Sequence, residues 1–131
     1  MGQPTLLLVD DEADLLSSLR MDLEGQGYRV LTALDGESAL EIARRELPDL
    51  LLLDLMLPQL DGYHILKFLK SDERYRKIPV LVITVRADAQ DLMLALECGA
   101  NECLVKPVQR EPLLERIHAL AHQQAPNGAV Q

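Results

Sequence analysis

The sequence predicts an α/β fold: a five-stranded parallel sheet with helices on both faces. Three observations predict it. Short apolar runs alternate with longer amphipathic stretches along most of the chain. Three of the runs, Thr5–Val9 (TLLLV), Leu50–Leu53 (LLLL) and Val80–Thr84 (VLVIT), are continuously apolar, the pattern of strands covered on both faces. The amphipathic stretch between successive runs is long enough for a helix that crosses back over the sheet, which implies right-handed crossovers with helices on either side.

The elements follow in order. After the first strand, Leu15, Leu16, Leu19 and Leu23 form a helical stripe that Gly25 and Gly27 end. The second strand is Tyr28–Ala33 (YRVLTA), and the helix after it, 35–46, carries Ala39, Leu40, Ile42 and Ala43 until Pro48 stops it. Leu50–Leu53 is the third strand, with a helix over 63–69. Val80–Thr84 is the fourth, with a helix over 88–98. The fifth, Glu102–Val105 (ECLV), precedes a helix over 110–121 with Leu113, Ile117 and Leu120 on one face. Pro112 falls in that helix's first turn, where its missing N–H costs nothing. Residues 1–122 make the domain; 123–131 (QQAPNGAVQ) lack charge and periodicity and are expected to be a flexible tail or the start of a linker.

A length of 131 residues suits one domain, and 48% hydrophobic residues supply a core that must be aliphatic, since aromatics are 3% and Trp is absent. Thirteen Lys and Arg against 21 Asp and Glu give a net charge of −8, which disfavours binding a phosphate backbone. Nothing basic or helix-turn-helix-like follows Ala121. Cys98 and Cys103 make neither a disulfide framework nor a zinc site. The longest apolar run is interrupted by Asp54 and is too short to span a bilayer, and no signal-like segment opens the chain, so a cytoplasmic protein is expected.

In a doubly wound sheet, functional groups collect at the carboxyl ends of the strands. Asp10-Asp11-Glu12 follows the first strand, Asp54 the third, Thr84 ends the fourth, and Lys106-Pro107 follows the fifth. Only the second ends without a candidate. Each group has a plain structural reading: Asp11 or Glu12 could cap the next helix. Asp54 could open a turn toward Pro58 and Gly62, Thr84 could be an ordinary strand residue, and Lys106 a solvated charge. Taken together these readings weaken, because three converging carboxylates repel by roughly 4 kcal/mol per close pair at an effective dielectric near 20. A divalent cation and an ammonium group would offset that repulsion, and oxygen-only ligands point to Mg²⁺ rather than zinc. A carboxylate beside Mg²⁺, a lysine and a hydroxyl is a phosphoryl-transfer site: metal and lysine neutralise the phosphoryl oxygens while the carboxylate attacks.

The segments LLLVDDE (6–12), LLLLDLMLPQLDG (50–62), VLVITVRA (80–87) and GANECLVKP (99–107) together resemble the receiver domain of two-component response regulators, over roughly residues 4–122. The resemblance implies a (βα)5 flavodoxin-like receiver fold and assigns roles. Asp54 is the phosphoacceptor and a metal ligand. Asp11 binds Mg²⁺ directly, Asp10 does so through water, and the Met56 backbone carbonyl is a third protein ligand. Lys106 pairs with Asp54 and then with the phosphoryl group, Thr84 donates its hydroxyl to it, and Pro107 is preceded by a cis bond. The implied partners are a histidine kinase or phosphotransfer protein as donor, and a downstream protein target or an output domain outside this chain. A phosphorylation-dependent dimer is compatible with these. The chain would catalyse only its own phosphorylation and dephosphorylation.

Most receivers carry Tyr or Phe where this chain has Cys103, so the usual inward turn of a ring as the threonine moves cannot operate, and a muted or rewired surface change is expected. Val85 is bulkier than the family's frequent Ala, and Met56 and Arg86 occupy variable positions flanking the site. A receiver-like module regulated by protein contact without phosphorylation is the alternative. A flavodoxin-like or phosphatase-like enzyme is disfavoured, because no glycine- or hydroxyl-rich phosphate loop follows the first strand. His118 and His122 share a helix face at metal-ligand spacing, but two ligands do not make a site and a solvated helix is expected there.

Overall fold

The structure, a computed structural model, describes residues 3–57, 61–85 and 88–122. Pro58, Arg86 and the tail expected over 123–131 lie outside the described residues. Five strand–helix units alternate: β1 (Thr5–Val9), α1 (Ala13–Gly25), β2 (Arg29–Ala33), α2 (Gly36–Glu46), β3 (Leu50–Asp54), α3 (Gly62–Ser71), β4 (Val80–Thr84), α4 (Ala89–Glu97), β5 (Glu102–Val105) and α5 (Arg110–Ala121). All pairings are parallel, in the order β2-β1-β3-β4-β5.

Strand alternation divides the leucines between two cores. Leu6, Leu8, Leu50, Leu52, Leu81 and Ile83 face the layer of α1 and α5, where Leu16, Leu19, Leu23, Leu113 and Ile117 meet them. Leu7, Val9, Leu51, Leu53, Val80 and Val82 face α2, α3 and α4, against Ala39, Ala43, Ile65, Leu66 and Ala95. β1, β3 and β4 are therefore apolar on both faces, and each fully buried leucine contributes about 2 kcal/mol relative to an exposed one.

Element ends depart from the sequence reading by a residue or two, for identifiable reasons. Tyr28 belongs to the turn rather than to β2, because its N–H closes the end of α1 on the Leu23 carbonyl at 3.1 Å while Gly27 takes φ +97°. Asp54 continues β3 as its last residue, paired with Ile83. Asp35, Asp61 and Asp88 stand just outside α2, α3 and α4, each accepting a backbone N–H of the first turn. Leu47 ends α2 in the left-handed conformation at φ +46°, and Pro48 blocks continuation.

Candidate functional site

The sheet order reverses between β1 and β3, and a parallel sheet opens a crevice at the carboxyl ends of such neighbours. Asp10 and Asp54 stand at those two ends, with 1% and 4% of their surface exposed. Asp10 is fixed from both directions. Its N–H donates to the Ala33 carbonyl at 3.2 Å, and its Oδ1 accepts the Glu12 N–H at 2.9 Å. Asp54 Oδ1 accepts the Met56 N–H at 2.8 Å, so the turn reading of Asp54 holds alongside its place in the site. Gly62 lets α3 start against this bend: its N–H donates to the Leu55 carbonyl at 3.0 Å, and a Cβ there would lie 2.6 Å from Leu55 Cα and 2.8 Å from the Asp54 carbonyl oxygen.

Lys106 reaches the crevice from the end of β5. Its N–H donates to the Thr84 carbonyl at 2.8 Å, and the bond to Pro107 is cis. Its Nζ donates to Asp10 Oδ2 at 2.8 Å, Glu12 Oε1 at 2.7 Å and Asp54 Oδ2 at 3.1 Å, using the ammonium's three protons. Burial works against the charge on Lys106, but the hydrogen bonds to Asp10, Glu12 and Asp54 more than reverse this and hold its pKa above the usual lysine value. Burial raises the Asp10 carboxyl, and the nearby Asp54 charge adds to this against the opposing bonds from Lys106 and the Glu12 N–H. Thr84 is fully buried.

Asp10, Asp11 and Asp54 each offer an oxygen within 4.8 Å of the others, with Asp11 exposed at the rim. Carboxylates at such separations repel by about 3.5 kcal/mol per pair at an effective dielectric near 20. One ammonium shared with a further acid, Glu12, does not balance them, and a set of oxygens in one crevice, two of them buried and one exposed, fits a hard divalent cation. Among the described residues this is the one such group of three or more His, Cys, Asp or Glu side chains.

Sequence reading missed Glu12. It treats Glu12 as a possible cap, yet Glu12 at the start of α1 makes no side-chain cap bond and turns to Lys106, 94 residues away. The third acid of the DDE run is the only local trace of this contact. Met56 is placed beside Asp54 through its backbone, with its side chain partly exposed. Cys103 sits outside the carboxylate group: it pairs with Val82, and its half-buried Sγ lies 4.0 Å from the Leu92 carbonyl oxygen of α4. Burial pushes its thiol up, away from a reactive thiolate. Beside Lys106 opens a cavity of about 420 Å³, walled by Leu15, Ile83, Val85, Val108 and Leu113. Glu12, Lys106 and Pro107 also line it.

Comparison with known proteins agrees with this geometry. The family described as response regulator receiver domain matches residues 6–118. The transcriptional regulatory protein AfsQ1 of Streptomyces coelicolor is 39% identical over 117 residues, 89% of this chain and 51% of that protein. The alkaline phosphatase synthesis transcriptional regulatory protein PhoP of Bacillus subtilis is 40% identical over 115 residues, 88% of this chain and 47% of that one. The chain thus spans about half the length of these curated relatives. Among solved structures, a CheY-like response regulator receiver domain protein from Methanospirillum hungatei superposes with a TM-score of 0.88 at 27% identity, covering 95% of this chain and 98% of that one. Phosphorylation on an aspartate is the general function of this family, and the chain belongs to it: it is a response regulator receiver domain.

Proposed function

We propose that Asp54 is the phosphoacceptor and that it takes the phosphoryl group from a phosphorylated histidine of a partner kinase or phosphotransfer protein. The observation that carries this reading is the shared lysine: Lys106 Nζ bonds Asp10, Glu12 and Asp54 together at the end of β3. An Asp54 oxygen attacks phosphorus in line, the P–N bond breaks with its electron pair returning to the imidazole, and an aspartyl phosphate forms. Lys106 then pairs with the phosphoryl oxygens. Thr84 donates its hydroxyl to one of them, drawing the following loop inward. A Mg²⁺ held by Asp10, Asp11, Asp54 and the Met56 carbonyl would neutralise charge on the transferring group and assist later hydrolysis. The chain acts on itself in both steps and turns over no metabolite. Cys103 in place of an aromatic residue gives a weaker or differently routed surface response, since a thiol against the Leu92 carbonyl has no ring to reorient.

The cavity next to Lys106, which bonds the acceptor Asp54, offers a partner an apolar wall, which suits docking of a donor protein. The relatives' names include transcriptional regulators, and this chain matches about half of each. Its output is therefore a partner protein or a domain outside residues 1–122, and the domain itself does not bind nucleic acid directly. Among the described residues no helix is long and apolar enough to cross a membrane, consistent with a cytoplasmic setting. Intact-mass spectrometry with Mg²⁺ and acetyl phosphate, repeated with a phosphorylated histidine kinase, tests the chemistry. One alkali-labile phosphoryl adduct is expected with at least one donor and none in Asp54→Asn. No adduct from either donor would replace this reading with a receiver-like module controlled by protein contact alone.

A further inference from the structure

The last turn of α5 carries an arrangement that phosphoryl transfer does not use. His118 and His122 project from the same side of the helix with ring centroids 4.4 Å apart. Tyr28, buried just before β2, meets both rings, with centroids 6.3 Å from His118 and 6.1 Å from His122. Each histidine has its Nδ1 occupied by the protein. His122 Nδ1 lies 2.9 Å from the His118 carbonyl oxygen, which can only accept, so Nδ1 carries the proton and the lone pair sits on Nε2. His118 Nδ1 lies 2.7 Å from the Tyr28 hydroxyl, which can accept as well as donate. This is the outer support found behind metal-binding imidazoles, in which one ring nitrogen is held by a carbonyl or similar group and the other is left for the metal.

We propose that His118 and His122 chelate a borderline divalent transition-metal ion of the Cu²⁺ or Ni²⁺ class through their Nε2 atoms, with Tyr28 orienting His118 and water completing the coordination. The donors select the class: imidazole nitrogens suit borderline transition metals. With metal–nitrogen bonds of about 2.0–2.1 Å, each ring centroid would lie about 3.2 Å from an ion bound at Nε2. Two imidazoles at a right angle about the ion then have centroids about 4.5 Å apart, and the observed 4.4 Å permits that arrangement. The metal selects the His118 tautomer in which Nδ1–H donates to the Tyr28 oxygen. The site stands at the amino-terminal edge of the sheet, the opposite end from Asp54, and its nitrogen donors do not favour the hard cation that the carboxylates fit.

Copper(II) titration of the whole chain in excess Mg²⁺, followed by electron paramagnetic resonance and calorimetry, tests the proposal. One equivalent should bind with two nitrogen ligands. His118→Ala and His122→Ala should each reduce this to one nitrogen, and Tyr28→Phe should weaken binding by about tenfold while keeping both. Metal-free melting curves check that the variants fold, and His122→Ala leaves the Tyr28–His118 bond in place. Acetyl phosphate labelling should be unchanged in all three. Unaltered affinity in the double histidine variant, or a spectrum of oxygen ligands only, would overturn the assignment.

Discussion

Lys106 contributes the ammonium that three acids share in the crevice, and it sits with 13% of its side chain exposed against 1% for Asp10 and 5% for Asp54. Buried pairs of this kind gain little over apolar packing, but losing one member leaves an uncompensated charge. Lys106→Met should therefore destabilise the metal-free chain by about 3 kcal/mol, measured by urea unfolding. Glu12, 60% exposed, is the weakest of the three holds because water screens it, so Glu12→Gln should cost under about 1 kcal/mol. A reversal of that order would show that Lys106 is anchored at the rim rather than in the crevice. The residues at the strand ends were legible as chemistry because their plain structural readings, each adequate alone, do not account for so many like charges together. Glu12 was not, because its partner is remote in sequence and its position next to a helix start offers a simpler explanation.

Secondary elements place these side chains, and two junctions can be tested. Gly62 has no room for a Cβ between Leu55 Cα and the Asp54 carbonyl. Both neighbours are backbone and cannot swing aside, so Gly62→Ala should cost about 2–3 kcal/mol and slow Asp54 phosphorylation by shifting the end of β3. An alanine variant with native melting temperature and native labelling rate would contradict the close approach. Leu47 presents the opposite situation. It is a non-glycine residue at φ +46°, a conformation that costs an ordinary side chain about 1 kcal/mol, and its side chain is 54% exposed. Leu47→Gly should raise stability by up to about 1 kcal/mol in thermal unfolding. Continuous apolar runs made β1, β3 and β4 readable, while strand and helix ends were harder: Tyr28 looks like a strand residue and serves a helix end. The pairing of His118 with Tyr28 crosses 90 residues and left no local pattern.

At the scale of the whole molecule, an aliphatic two-faced sheet holds an excess of negative charge at one edge. That excess is the cost of the site, and a cation bound there would link folding to its binding. A cation that binds only the folded chain adds about 2.7 kcal/mol when its concentration is a hundred times its dissociation constant. Mg²⁺ should accordingly raise the melting temperature of the wild type. Asp54→Asn removes one of the crowded carboxylates, so it should melt higher than wild type without Mg²⁺ and respond less when Mg²⁺ is added. Equal melting temperatures for the two chains without metal would contradict the crowding. The parallel order and the two helix layers were legible as a class from the alternation of runs, but the strand order that brings Asp10 beside Asp54 depends on which edges pair. No local segment records that.

The central claim is that Asp54, among several acids at one edge, receives the phosphoryl group. Borohydride reduction after phosphorylation converts an aspartyl phosphate to homoserine, and peptide mapping then locates it. The account predicts homoserine at position 54 alone. Homoserine at position 10 or 11, with none at 54, would contradict it.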